Sequence, residues 1–232
     1  DAFGRTLRES LTQVGVDARL HLEATLPTGA CVILVDHSRE RTMFPDPGAN
    51  SALSAEEVMG AMIEAHEAGQ LDHLHVSGYA LLNPASRTAG LAAIERAREL
   101  GATVSLDPAS AGPLAHCLDV VRPLLEHLDL VVANEAEAAV LAGVSADQSL
   151  AALATMVPVV VIKRGPAGVV ASGGSETVER PALDVDVVDT TGAGDAFSAG
   201  FLPAWLAGMP LAAALDAGQD LAARAVGRVG AS

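Results

Sequence analysis

Apolar and polar positions along this chain follow two alternating rhythms, and the switches between them predict most of its elements. Val58, Ala61, Met62 and Ala65 recur at helical spacing, with Ser54 and Glu57 as a capping box in front and Gly69 behind. Leu74-His75-Val76 predicts a short buried strand, and Asn83-Pro84 the start of a helix that runs through Leu91 and Ile94 to Gly101. Thr103 to Leu106, Leu130 to Val132 and Val159 to Ile162 read as further strands, separated by helical segments near Val121 to Leu125, Glu135 to Leu141 and Ala146 to Met156. Val169 to Arg180 reads as hairpin strands around Ser172-Gly173-Gly174, and two Ala/Leu-rich helices follow. Val-rich strands alternating with helices predict an α/β fold: a mostly parallel sheet covered by helices on both faces. Such sheets bind ligands at the carboxyl ends of their strands.

The first fifty residues differ. Phe3, Leu7 and Leu11 share one helical face that ends near Gly15, Arg19 to Glu23 alternates, and Thr28 to Val35 is a stronger strand. Arg41 to Phe44 predicts a third strand after a polar turn, before the Pro45-Asp46-Pro47-Gly48 break. Ala30 to Val35 is apolar on both alternating faces and calls for cover on two sides, from its own domain and from a second subunit. The expectation is one domain over residues 1–232 with a small β lid at about 19–50, and a homodimer formed through the lid strands.

Composition narrows the partners. With 50% hydrophobic residues over 232 positions, the chain can bury a sizeable core. Its 14 basic and 29 acidic residues give a charge of −15, which disfavours nucleic acid and anionic membranes. Aromatic residues, at 3%, offer no stacking platform for single-stranded nucleic acid. Cys31 and Cys117 lie far apart in apolar segments, as buried thiols in a reducing compartment would. No charge-free apolar run of membrane-spanning length and no secretory leader pattern is present, so the expectation is a soluble, cytoplasmic protein.

Candidate chemistry concentrates in Asp189-Thr190-Thr191-Gly192-Ala193-Gly194-Asp195-Ala196-Phe197, between a strand-like and a helix-like run. Gly192, Ala193 and Gly194 let the backbone turn tightly and aim N–H groups at one point, where the next helix directs the positive end of its dipole. An anion fits there, most often a phosphate. Asp195 beside it suits a base that takes a proton from an attacking hydroxyl, because phosphoryl transfer depends on positioning more than on base strength. Two other readings stay open on the residues alone. One is a tight turn with Asp195 as a capping carboxylate. The other is a dinucleotide fingerprint, although Phe197 stands where its third glycine belongs.

Asn134 and Glu137 follow a strand end at Asn-x-x-Glu spacing. An amide and a carboxylate at the sheet's carboxyl edge suit a hydrated Mg²⁺, and an ordinary capped helix start fits the same residues. Asp107-Pro108 ends another strand as a turn signal, with an edge-facing role open. His73-x-His75 places two imidazoles on one strand face without a third zinc ligand in evidence.

The nine-residue string and the Asn-x-x-Glu spacing resemble the motifs of the PfkB/ribokinase family of carbohydrate kinases. The resemblance covers essentially the whole chain and implies a ribokinase-like fold and an ATP-dependent kinase with Mg²⁺ whose substrate is a small sugar or sugar acid. It implies Asp195 as the catalytic base, with Gly192, Ala193 and Gly194 forming the anion hole. Lys163, Gly165 and Gly168 would lie beside the nucleotide phosphates with Thr191 and Asn134, and Asn134 and Glu137 would organise Mg²⁺. Asp189 would help order a monovalent cation such as K⁺, with backbone oxygens near Arg228-Val229-Gly230-Ala231. Gly29 to Asn50 resembles the family's lid, which would close over the sugar. The family's N-terminal portion, with its first strand, a sugar-contacting aspartate and a Gly-Gly segment, has no counterpart in these residues. Either the chain is a fragment or that portion exists beyond them. Two alternatives therefore stand beside the sugar kinase: a non-catalytic binding remnant and a nucleoside kinase.

Overall fold

The computed structural model describes residues 1–35, 41–228 and 230. The chain folds as two compact units, residues 1–72 with 80–102, and residues 73–79 with 103–232.

In the first unit, helix α1 (Ala2–Gln13) is capped by Asp1, whose carboxylate accepts from the Gly4 N–H at 2.9 Å and from the Thr28 N–H at 2.8 Å. Strands β1 (Ala30–Val35) and β2 (Arg41–Asp46) form an antiparallel pair with Val32 opposite Phe44. Helix α2 (Ala55–Glu67) starts at the predicted capping residue, Ser54 accepting from the Glu57 N–H at 3.2 Å. Arg19 to Glu23 forms no strand. Its polar side chains reach α2 instead: Arg19 Nη1 donates to Glu64 Oε2 at 2.6 Å, and His21 Nδ1 lies 2.8 Å from Glu57. After the short α3 (Tyr79–Leu82), helix α4 (Arg87–Glu99) begins later than Asn83-Pro84 predicts. The Asn83 Oδ1 accepts from the Ala85 N–H at 3.0 Å and closes a turn rather than capping the helix. Residues 36–40 of the expected lid lie outside the described residues.

The second unit carries a six-stranded sheet in the order β3 (His73–Ser77), β4 (Thr103–Asp107), β5 (Leu130–Asn134), β6 (Val159–Lys163), β7 (Val169–Gly173), β8 (Glu176–Arg180). Strands β3 to β6 run parallel, and β7 and β8 continue the sheet as an antiparallel hairpin. Between them come the short helices α5 (Ala111–Ala115) and α6 (Leu118–Val121), then α7 (Glu135–Ala142) and α8 (Ala146–Leu153). Helices α9 (Ala193–Leu206) and α10 (Leu211–Val226) close the unit.

Alternation along β5 and β6 explains the two layers. Leu130, Val132 and Val161 face Phe197 and Phe201 of α9 and Leu215 of α10 in one buried cluster. Val131, Ala133, Val160 and Ile162 point the other way and are buried as well, on the side where α7 and α8 pack. Helices α9 and α10 approach closely because Gly200 and Gly218 lie at their crossing: a Cβ on Gly218 would stand 2.8 Å from the Phe197 ring. Among the described residues, no helix is long and apolar enough to cross a membrane.

Candidate active site

Three parallel strands end side by side with a chemically useful residue each: Asp107 on β4, Asn134 on β5 and Lys163 on β6, the last two directly paired in the register. Lys163 Nζ donates to Asp107 Oδ2 at 2.9 Å, and both side chains are mostly buried, 18% and 16% exposed. The pair spans β5. Lys163 also meets the glycine turn, since a Cβ on Gly194 would lie 3.1 Å from its Nζ.

The turn itself is well defined. Gly192 adopts φ 76°, a left-handed conformation that favours glycine, and α9 starts immediately after it. The Ala193 N–H donates to the Thr190 carbonyl at 3.3 Å, while the Gly194 and Asp195 N–H groups, in the first helical turn, have no intrahelical acceptor. Of the expected anion donors, Ala193 is therefore engaged in the turn. Asp189 orders the approach: its Oδ1 accepts from the Thr191 N–H at 2.9 Å and the Thr191 hydroxyl at 2.7 Å, and its Oδ2 from the Gly230 N–H at 3.0 Å. Val229 and Ala231, also expected near the cation, lie outside the described residues.

A cleft of about 720 Å³ opens beside the turn. Its lining includes Asn134, Lys163, Gly165, Gly168 and Gly194 together with apolar side chains such as Val185, Val187, Ala222 and Val226, and Gln219. Gly165 and Gly168 flank a single 3₁₀ turn after β6. Ala193, Gly194 and Phe197 present α9 to this cleft, and Asp195 is not among its lining residues. Asp195 is exposed, and its charge acts on His75 of β3.

Glu137 is tied to the start of its own helix. It is 4% exposed and completes a capping box in which Asn134 donates its backbone N–H to Oε2 at 2.8 Å and its side-chain amide to Oε1 at 2.7 Å. Burial raises its pKa, against the lowering effect of the Asn134 N–H. His73 and His75 meet hydroxyls: His73 contacts Thr103 Oγ1 at 2.8 Å and Ser105 Oγ at 2.7 Å, and His75 contacts the same Ser105 Oγ at 2.7 Å. Burial lowers both histidine pKa values. The Asp107–Lys163 pair was not read from the sequence. Its signal was present, an acid and the chain's single lysine both at strand ends, but their meeting depends on a strand order that spacing does not reveal.

The profile of the pfkB family carbohydrate kinases matches residues 1–232. The chain belongs to this family. PfkB members are phosphotransferases acting on hydroxyl groups, and ATP use is implied by membership. The chain is similar to a fructokinase of Klebsiella pneumoniae, 33% identical over 217 residues, covering 87% of this chain and 67% of that protein. It is also similar to an adenosine kinase of Saccharomyces cerevisiae, 29% identical, covering 100% of this chain and 71% of that protein. The fold is ribokinase-like. A crystal structure of a putative ribokinase II from E. coli in complex with ATP and Mg²⁺ superposes with a TM-score of 0.85 at 26% identity, covering 100% of this chain and 75% of that one.

Proposed function

We propose that this pfkB kinase binds Mg-ATP in the cleft beside the Gly192–Asp195 turn and transfers the γ-phosphoryl group to a hydroxyl of a small sugar or sugar acid. The observation that carries the reading is the division made by the start of α9: Ala193, Gly194 and Phe197 line the cleft, while Asp195 stands apart from it with its charge felt at His75. A nucleotide on one side of the turn and an acceptor on the other would meet at the Gly194 and Asp195 N–H groups.

In this reading Asp195 takes the acceptor's proton as the hydroxyl attacks phosphorus, and the N–H groups stabilise the transferred charge. Gly192 and Ala193 shape the turn, Lys163 meets a phosphate, and Gly165 and Gly168 let the backbone approach the nucleotide. The small apolar side chains of α10 and the 182–187 segment suit a flat base. Asn134 and Glu137 fit Mg²⁺ through its waters, because Mg²⁺ keeps several and Glu137 already serves both its oxygens to Asn134. Mg²⁺ supplies neutralisation of phosphate charge when bound. Asp189 and Thr191 act through the order of their loop, where K⁺ would find backbone oxygens. Val32, Leu34 and Phe44 are more than half exposed on the β1–β2 pair and support a homodimer through these strands.

A nucleoside acceptor is the second reading, favoured by the similarity to adenosine kinase. ADP release from Mg-ATP over a panel of sugars, sugar acids and nucleosides tests both. Turnover on a sugar is expected. Turnover on nucleosides alone would replace the acceptor, and Mg-ATP binding without turnover on any of them would leave a binding protein.

A further inference from the structure

The structure points to Asp107 as a positioning residue that holds the Lys163 ammonium at the mouth of the glycine turn. The inference rests on the reading of Lys163 as a phosphate contact. Asp107 is itself fixed at both ends of its carboxylate. Oδ1 accepts from the Ala109 N–H at 2.8 Å and Oδ2 from Lys163 at 2.9 Å, while its carbonyl accepts from the Gly78 N–H at 2.7 Å. Ala109 adopts φ 68°, the only positive φ outside glycine among the described residues. Backbone held in that region costs free energy and persists where surrounding contacts over-determine it. The turn after β4 thus presents the carboxylate in one orientation.

Lysine needs such a partner. Its four-carbon stem has many rotamers, and its ammonium is a point charge with no fork geometry to orient it. Asp107 Oδ2 fixes this one, and the missing side chain of Gly194 leaves room for Nζ, which would stand 3.1 Å from a Cβ there. The ion pair and the place beside Gly194 occur in one conformation, so the pair does not draw the lysine away from the turn. It keeps the charge there before any phosphate arrives, which reduces the ordering cost of binding. Asp107 contributes an opposing effect, because a carboxylate near phosphates repels them. The two effects have opposite signs, and that makes the inference decidable.

Two substitutions separate the roles of the carboxylate. Asp107→Asn keeps an oxygen for the Ala109 N–H and removes the ion pair, whereas Asp107→Glu keeps the charge and loses the tight turn. Titration calorimetry with Mg-ATP on the full chain, with melting curves to verify folding, is the measurement. The expected result is roughly tenfold weaker binding for Asp107→Asn, the order of coupling between neighbouring charged groups, with Asp107→Glu within about threefold of the parent. In a Lys163→Met background Asp107→Asn should cause no further loss. Tighter binding by Asp107→Asn would make the acid a bare counter-charge, and loss confined to Asp107→Glu would make it a turn-former; either overturns the inference. An undiminished Asp107→Asn loss in the Lys163→Met background overturns it while leaving the Lys163 reading intact. Parent-like Mg-ATP binding by Lys163→Met alone overturns both.

Discussion

One face of the second unit's sheet carries two kinds of surface. From β5 to β8 it is apolar: Leu130, Val132, Val161, Val169 and Ala171 are buried against α9 and α10. On β3 and β4 the same face carries His73, His75, Thr103 and Ser105, joined by hydrogen bonds between rings and hydroxyls. The first half fixes α9 by burial, which is non-directional and does not titrate. The second half lies on the side where Asp195 makes its charge felt and consists of groups that exchange protons. The contrast is one of roles, a rigid mount for the helix that forms the turn and a polar floor beside the proposed base.

Four changes test that contrast, from the largest effect down. With Asp195 as the proposed base, Asp195→Asn should lower turnover by about two to three decades while the melting temperature stays within error, because the residue is exposed. A sugar-dependent rate equal to the parent's would remove the base from the mechanism. Phe201→Ala, in the apolar half, should cost about 3–5 kcal/mol in urea unfolding, since the ring is fully buried and stacked at 5.8 Å on Phe197. Ser105→Ala, in the polar half, should cost about 1–3 kcal/mol by leaving two imidazole nitrogens without their shared hydroxyl. A neutral result would mean that water replaces the serine and that the floor is open.

The smallest effect is a pH dependence. Burial holds His73 and His75 below the ordinary value of 6.5, so the unfolded chain binds protons that the folded one refuses. Their contribution to stability is present above about pH 6.5 and is lost as pH falls from there through their lowered values. Glu137 has the opposite sign: its raised value gives a contribution present below 4.5 that is lost as pH rises through the folded value. His73→Gln should therefore flatten the decline of the urea midpoint below pH 6.5. A decline as steep as the parent's would place its source outside the polar half.

How far the sequence reached follows from the range of each interaction. The glycine turn, the Ser54 and Asn134 helix starts and the Val-rich strands are local, and their residues lie within a few positions of one another. The 169–180 hairpin is local as well and appears where its glycines predict it. Arg19 to Glu23 alternates as a strand would, yet Glu57 and Glu64 on α2 capture its charged side chains, a tertiary competition that no pattern records. Asn83 fits a helix cap by residue type, yet its side chain closes a turn and α4 begins only at Arg87. Lys163 meets Asp107 across an intervening strand, 56 residues away in sequence. The same Asn-x-x-Glu spacing fits both a metal ligand and a capping box, and only burial shows the box to be closed.

The Gly200–Gly218 crossing has a consequence for how this site can change over generations. A Cβ on Gly200 would stand 2.3 Å from the Ala217 carbonyl oxygen and one on Gly218 2.8 Å from the Phe197 ring, so a replacement must shift the helices at the first position and at least that ring at the second. Substitutions behind the site thus act like a change of pivot, tilting the glycine turn without altering a residue in it. Side chains at the strand ends and in the loops can, by contrast, be exchanged without pressing on that crossing.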